Sequence, residues 1–413
     1  MDEDHVGVRL PHSLKYLFAK AVRHRNWLTT GPSWSVLLNM LACGARYALG
    51  CKRAHTVPPW LKIDLSPLCN LRCTVCIHAR PGEDPYLQRQ RFGPQMQMPL
   101  ERFGELMGQL TGRAKCVSLH YLGDPLMYNH LEEACALSRR AGLYTHIGTN
   151  FSFDLSDERL ANLAASGLSH ITVCIDGMSQ EMYARTRAGG DLERVKDNLR
   201  RLCRIKRRRG WRLPYVEVQY IKFQHNLAHL AEAAEFAAAI GADQFTQLWG
   251  NLGNYSDLMP GRYRLLGPRS RTWLPRCPWP WVLMVVKYDG DVIPCCAYRH
   301  AAQYADAGQA RVLGNVFRKS VAAVWRGRAY QELRRVCAHP GLFEREPALA
   351  ATFCHGCPRL FHTEGVVYLD GRRHRYEDVY DLDEFGRPAR RRVPAPTCPA
   401  TGEAGVPAQG ERT

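Results

Sequence analysis

The chain has 413 residues, of which 46% are hydrophobic and 23% charged. This composition excludes a mainly disordered chain, a collagen-like repeat and a coiled coil, and the length allows one large domain or two to three ordinary ones. A formal charge of +17 suits an anionic partner, whether a phosphorylated substrate, a membrane face or nucleic acid, without choosing among them.

The sixteen cysteines do not read as a disulfide framework. The acidic start, Met1-Asp2-Glu3-Asp4-His5, lacks the basic and apolar regions of a signal peptide. A cytoplasmic protein is expected, and in a reducing compartment such cysteines bind metal or metal–sulfur clusters.

Residues 1–57 read as a basic, helix-prone leader. Within it Ser13–Arg25 has helical apolar spacing. Trp34–Leu49 is more apolar, too short for a comfortable membrane span, and interrupted by Asn39, Gly44 and Arg46. Two readings stay open for residues 13–49: helices packed on the main domain, or a basic amphipathic anchor on a membrane surface.

Residues 58–250 alternate strand and helix patterns. Strands are expected at Trp60–Ser66, Cys116–Leu122, Tyr144–Thr149, His170–Ile175, Tyr215–Phe223 and Gln244–Leu248. Helices are expected at Leu100–Thr111, Leu131–Ala141, Ser156–Ser166, Leu192–Arg209 and Leu227–Ile240. Gly142, Gly167, Gly210 and Gly241 follow helices and suit left-handed caps. Regular alternation predicts an α/β fold with a parallel sheet. Periodicity leaves a partial barrel and a doubly wound sheet both open.

Directly after the first strand, Cys69, Cys73 and Cys76 stand at C-x3-C-x2-C. Three thiolates on a tight loop can hold three irons of a cubane and leave the fourth open to a small molecule. A structural zinc with His78 as its fourth ligand is the alternative. Spacing and position resemble the signature of the radical S-adenosylmethionine (SAM) superfamily, and the likeness runs from about Pro58 to Phe361. Val75 departs from the aromatic residue usual at its position.

The resemblance implies a partial (β/α)6 barrel in which these cysteines hold a 4Fe–4S cluster and SAM chelates its unique iron. It extends to His120-Tyr121-Leu122-Gly123-Asp124-Pro125, similar to the family's Gly-Gly-Glu-Pro segment. Gly123, Asp124 and Pro125 would then meet the SAM amino group. Thr149-Asn150 ends the third strand, and Asp176-Gly177 with Tyr183 and Arg187 follows the fourth. Asn150, Asp176 and Arg187 are thereby implied in SAM binding, and Asn226 is a weaker match.

Residues 251–361 carry Cys277, Cys295, Cys354 and Cys357 at C-x17-C-x58-C-x2-C. A hairpin is expected at Met284–Tyr288 and Val292–Pro294, turning at Asp289-Gly290. This region resembles a truncated SPASM extension, of the Twitch type, with one auxiliary 4Fe–4S cluster on those four thiols. Zinc on the same thiols is the alternative, and Cys296 and Cys337 are alternative ligands. Residues 362–413 read as an extension, disordered after about 385.

Cys174, two residues before Asp176, is a candidate hydrogen donor to a substrate radical, against the simpler reading of a small buried hydrophobe. The basic run Arg200–Arg209 reads as a solvated helix face, so nucleic-acid binding is disfavoured. The resemblance implies an enzyme that forms a 5′-deoxyadenosyl radical, using a reductant such as flavodoxin or ferredoxin. The substrate expected is a small polyol, a sugar or aminocyclitol that can be anionic, undergoing dehydrogenation, dehydration or epimerisation. A peptide maturase, a lipid-modifying enzyme and a non-enzymatic metal-bearing nucleic-acid-binding protein are the rivals.

Overall fold

The computed structural model describes residues 31–73, 76, 78, 93–249, 263–265, 274–295, 312–355, 357, 360–363, 366–369 and 372–375. Expectations for Ser13–Arg25, Val75, Cys296 and the tail beyond 375 lie outside these residues.

Six parallel strands build the centre: β1 (Trp60–Ile63), β2 (Cys116–Ser118), β3 (Tyr144–Thr149), β4 (His170–Cys174), β5 (Tyr215–Lys222) and β6 (Gln244–Trp249). They lie side by side in chain order. A doubly wound sheet would reverse its order at a switch point. Unbroken order with parallel pairing is the arrangement of a βα barrel, and it settles what periodicity left open.

The crossovers carry α2 (Leu100–Leu110), α3 (Leu131–Arg140), α4 (Asp157–Ala165), α6 (Leu192–Arg208) and α7 (Leu230–Ile240). A short α5 (Gln180–Thr186) lies before α6 and was not anticipated. Helix starts follow side-chain chemistry: Ser156 Oγ accepts from Arg159 N at 3.1 Å and Asp191 Oδ1 from Arg194 N at 3.0 Å. Gly142, Gly167, Gly210 and Gly241 all have positive φ, as helix ends require.

The strands alternate in chemistry. Leu61, Val117, Ile147, Ile171, Val173, Val216 and Val218 are buried in the apolar core that the helices cover. Each contributes about 1.5–3 kcal/mol by leaving water. The residues between them, Lys62, Ser118, His146, Thr172 and Gln219, turn to the barrel lumen. Parallel strands buried on both faces are normally aliphatic throughout. A polar inner face marks this lumen as a place for something other than packing.

The C-terminal part joins the same sheet. A one-turn α8 (Trp279–Val282) leads into β8 (Leu283–Val286), which pairs parallel with β1. β9 (Asp291–Ile293) returns through a turn at Gly290, φ 84°, and β10 (Gly314–Asn315) follows, giving nine strands in one sheet. Helices α9 (Val321–Arg326), α10 (Arg328–Ala338) and the one-turn α11 (Leu342–Arg345) come next. β7 (Tyr263–Leu265) pairs with β11 (Phe361–Thr363), and β12 (Val366–Leu369) with β13 (Arg372–Arg375).

From the leader, α1 (Trp34–Ala48) is described. It buries Val36, Cys43 and Tyr47, and Tyr47 Oη donates to Pro275 O at 3.0 Å. Its other face leaves Trp34, Leu38 and Leu41 exposed at 81%, 65% and 69%. Among the described residues no helix is long and apolar enough to cross a membrane.

Candidate active site

The loop after β1 and the loop after β2 are zipped together. Asp124 N donates to Leu68 O at 2.8 Å. A Cβ on Gly123 would lie 2.0 Å from Ser66 O, so only glycine permits this approach. The buried Asp64 carboxylate accepts from Leu122 N and Gly123 N at 3.3 and 3.5 Å.

Cys69 is thus placed beside Asp124. Leu71 N lies 3.4 Å and Asn150 Nδ2 3.8 Å from Cys69 Sγ, both pointing N–H groups at sulfur. Asn70 bridges to the end of β3, donating to Ser152 O and accepting from Asn150 Nδ2. Arg72 N donates to Ala188 O, tying the loop to the segment after α5. Cys69, Cys73 and Cys76 line one cavity of about 330 Å³. Burial pushes the Cys69 and Cys73 thiols up, so thiolates here need a positive metal centre beside them. His78 is not among the residues lining that cavity, and burial pulls its ring down to about 4. Three thiols on one wall, with His78 outside, fit a cluster with one open iron better than tetrahedral zinc.

The other residues singled out in the sequence divide. Gly123, Asp124, Asn150, Cys174 and Arg187 line the cavity. Asp124 is buried and fully engaged: Thr149 Oγ1 donates to it at 2.9 Å, Asn150 N and Nδ2 at 2.8 and 2.7 Å, and Leu126 N at 3.0 Å. Pro125 opens the short 3-10 turn that Asp124 caps and does not line the cavity. Asp176 does not reach it either. Its carboxylate accepts from Arg187 Nε at 2.5 Å and from Ile221 N at 3.1 Å. It therefore holds Arg187, which lines the cavity. Asn226 donates to Asp176 O and Ile221 O and orders that corner.

The lumen holds groups that the sequence reading passed over. Trp60 Nε1 donates to Ser118 Oγ at 3.0 Å, so Ser118 has its own proton for His146 Nδ1, 3.3 Å away. His146 Nε2 then carries the hydrogen toward Thr172 Oγ1 at 2.8 Å, and Thr172 donates to Glu217 at 2.6 Å. His170 Nε2 meets the same carboxylate at 3.0 Å. The ligand atoms of His146, His170 and Glu217 lie within 4.8 Å of one another. Thr172 links His146 to Glu217, and the buried His170 Nδ1 has no hydrogen-bond partner among the described residues. The available signal was the two-residue step: Ser118 to His120, His146 to Gly148 and Thr172 to Cys174 all reach the lumen.

At the C-terminal end, Cys277, Cys354 and Cys337 meet in one apolar cluster with Tyr47, Trp281 and Phe361. Cys357 follows at a turn, its N–H on Cys354 O at 3.2 Å. Cys295 packs in a different cluster, with Leu283, Val285 and Ile293.

A strand-ordered βα barrel with three thiols at the mouth of a polar lumen defines the class. The Radical SAM superfamily model matches residues 63–237, and the SPASM iron–sulfur cluster-binding domain model matches 277–358. The chain belongs to the radical SAM superfamily with a SPASM extension. It is an enzyme of that class, binding SAM and 4Fe–4S clusters. It is 26% identical over 342 residues to the PqqA peptide cyclase of Xanthomonas campestris, covering 74% of this chain and 81% of the relative. It is 21% identical over 309 residues to a tungsten-containing aldehyde ferredoxin oxidoreductase cofactor-modifying protein of Pyrococcus furiosus, covering 67% and 83%. The structure of Streptococcus suis SuiB bound to precursor peptide SuiA aligns with TM-score 0.50 and 15% identity, over 72% of this chain and 71% of that one.

Proposed function

We propose that this radical SAM enzyme acts on a small polar molecule, a sugar or aminocyclitol, held in the barrel lumen. The supporting observation is the inner wall: Lys62, Ser118, His120, His146, Thr172 and Gln219 stand where aliphatic residues would otherwise fill a barrel. Hydroxyl and amino groups need such partners, because leaving a buried polar group unpaired costs about 1–3 kcal/mol.

When bound, the cluster and SAM supply the radical that removes hydrogen from a substrate carbon, with dehydrogenation, dehydration or epimerisation as the outcome. A low-potential reductant, such as flavodoxin or ferredoxin, is the partner this requires. The chain holds, orients and excludes water. Asp124 offers a carboxylate to the SAM ammonium, and Arg187, aimed by Asp176, offers a cation to its carboxylate. His146 stands between the lumen and Glu217, placed to take or give a proton through Thr172. Burial holds the Cys174 thiol up at about 11, so it keeps its hydrogen and stands in the lumen as a donor.

A peptide substrate is the second reading, supported by the likeness to the PqqA peptide cyclase. Deuterated sugars and aminocyclitols, run against deuterated peptides, separate the two by the label found in 5′-deoxyadenosine. The proposal predicts label from a polyol, lowered at least about tenfold by His146→Ala, a loss of about 1.4 kcal/mol in transition-state stabilisation. Label from peptides alone would sink it.

A further inference from the structure

Cys337 lies outside the four-cysteine spacing that the SPASM likeness singles out. It sits on α10, on the buried face that also carries Tyr330, Leu333, Arg334 and Val336. Its sulfur is 3.8 Å from Cys354 Sγ and in hydrogen-bond contact with the Cys277 thiol. Three thiols from α10, the turn before α8 and the segment before β11 thus share one point. A single buried cysteine needs no partner, since it packs as a small hydrophobe. Convergence of three from separate elements is the layout a metal–sulfur centre demands. Cys295, by contrast, packs beyond the end of β9 with Leu283, Val285 and Ile293.

A second observation concerns charge. Arg334, one helical turn before Cys337, is wholly buried. Its guanidinium donates to Pro280 O and Trp325 O, both at 2.9 Å, and among the described residues no carboxylate pairs with it. The guanidinium also lies over the Trp325 and Tyr330 rings, 4.6 and 5.3 Å from their centroids, and burial pulls it down to about 10. A cubane on four thiolates is a net anion, and Pro280, the acceptor of Arg334, lies three residues after Cys277.

We propose that Cys337 is a protein ligand of the auxiliary cluster, completing the set with Cys277, Cys354 and Cys357, and that Cys295 stands outside it. This rests on the reading of the C-terminal region as an iron–sulfur site. The test starts from a Cys69→Ala, Cys73→Ala, Cys76→Ala background, where only the auxiliary cluster can form. Anaerobic reconstitution should give about four irons per chain. Adding Cys337→Ser should lower that to under about one, or shift the electron paramagnetic resonance of the reduced cluster. Adding Cys295→Ser should leave both unchanged. Circular dichroism before reconstitution separates lost iron from lost fold, and Cys337→Ala, with no polar atom to bury, is the second variant. Full iron and an unaltered spectrum in the folded Cys337 variants, with loss in Cys295→Ser, would overturn the assignment. A background protein without iron would instead overturn the cluster reading of the region itself.

Discussion

Burial raises the Asp124 carboxyl to about 6, and hydrogen bonds from Asn150, Leu126 and Thr149 offset only part of the effect. The sign follows from that direction. The neutral form is favoured by the fold, so this contribution to stability is present at low pH and lost as pH rises through about 6. Ammonium binding needs the opposite state. Calorimetric SAM affinity should therefore fall as pH drops below about 6, and Asp124→Asn should weaken it at least about tenfold and remove the pH dependence. An unchanged affinity in the variant would remove Asp124 from the SAM site. If the Cys174 thiol is the exchangeable hydrogen donor, Cys174→Ala should keep SAM cleavage but lose solvent deuterium from the product of an epimerisation. Retained label would return Cys174 to simple packing. At this scale the grouping of Cys69, Cys73 and Cys76, which line one cavity, was legible because their spacing is local. The pairing of Asp176 with Arg187, which α5 brings to it, was not legible, because spacing carries no direction. Cys337 was only an alternative for the same reason: its meeting with Cys277 and Cys354 is a tertiary event.

Helices and strands were legible wherever amphipathicity was strong. Ser156 and the post-helix glycines mark ends that the structure keeps. Strand ends were overrun: β2 stops at Ser118, because after Leu119 N has reached His146 O the next donor, Gly148 N, goes to His120 Nδ1 at 2.9 Å. The short α5 was missed because seven residues give too little periodicity. In α6 the basic run is partly spent on structure: Lys206 pairs with Asp243, and Arg201 with Asp157 and Asp197. That removes much of the case for a nucleic-acid surface. On α1 the exposed Trp34, Leu38 and Leu41 form one apolar stripe. If it lies on a membrane surface, the protein should sediment with anionic vesicles, less so at high salt. A Trp34→Glu, Leu41→Glu pair should then lower the bound fraction at least about tenfold, since each buried side chain is worth about 1.5–3 kcal/mol. Absence from vesicles at every salt concentration would leave this stripe without a membrane role.

For the molecule as a whole, one sheet carries both cysteine regions, because β8 extends the barrel from β1. Sequence reading separated a barrel from a C-terminal unit, since the composition changes there, while the β1–β8 pairing is a long-range contact that no local pattern records. Cys277 precedes α8, which leads into β8, so a cluster on the C-terminal thiols can exchange electrons or hold this part of the fold in place. A folded Cys354→Ala, Cys357→Ala variant should still cleave SAM yet make no oxidised product if the auxiliary cluster accepts an electron. Wild-type product formation would make that cluster structural. Reductive SAM cleavage tests the central claim most directly. Anaerobically reconstituted protein with dithionite should convert SAM to methionine and 5′-deoxyadenosine in equal amounts, and the Cys69→Ala, Cys73→Ala, Cys76→Ala variant should convert none. Loss-free cleavage in that variant, or no cleavage by the iron-loaded wild type, would contradict the account.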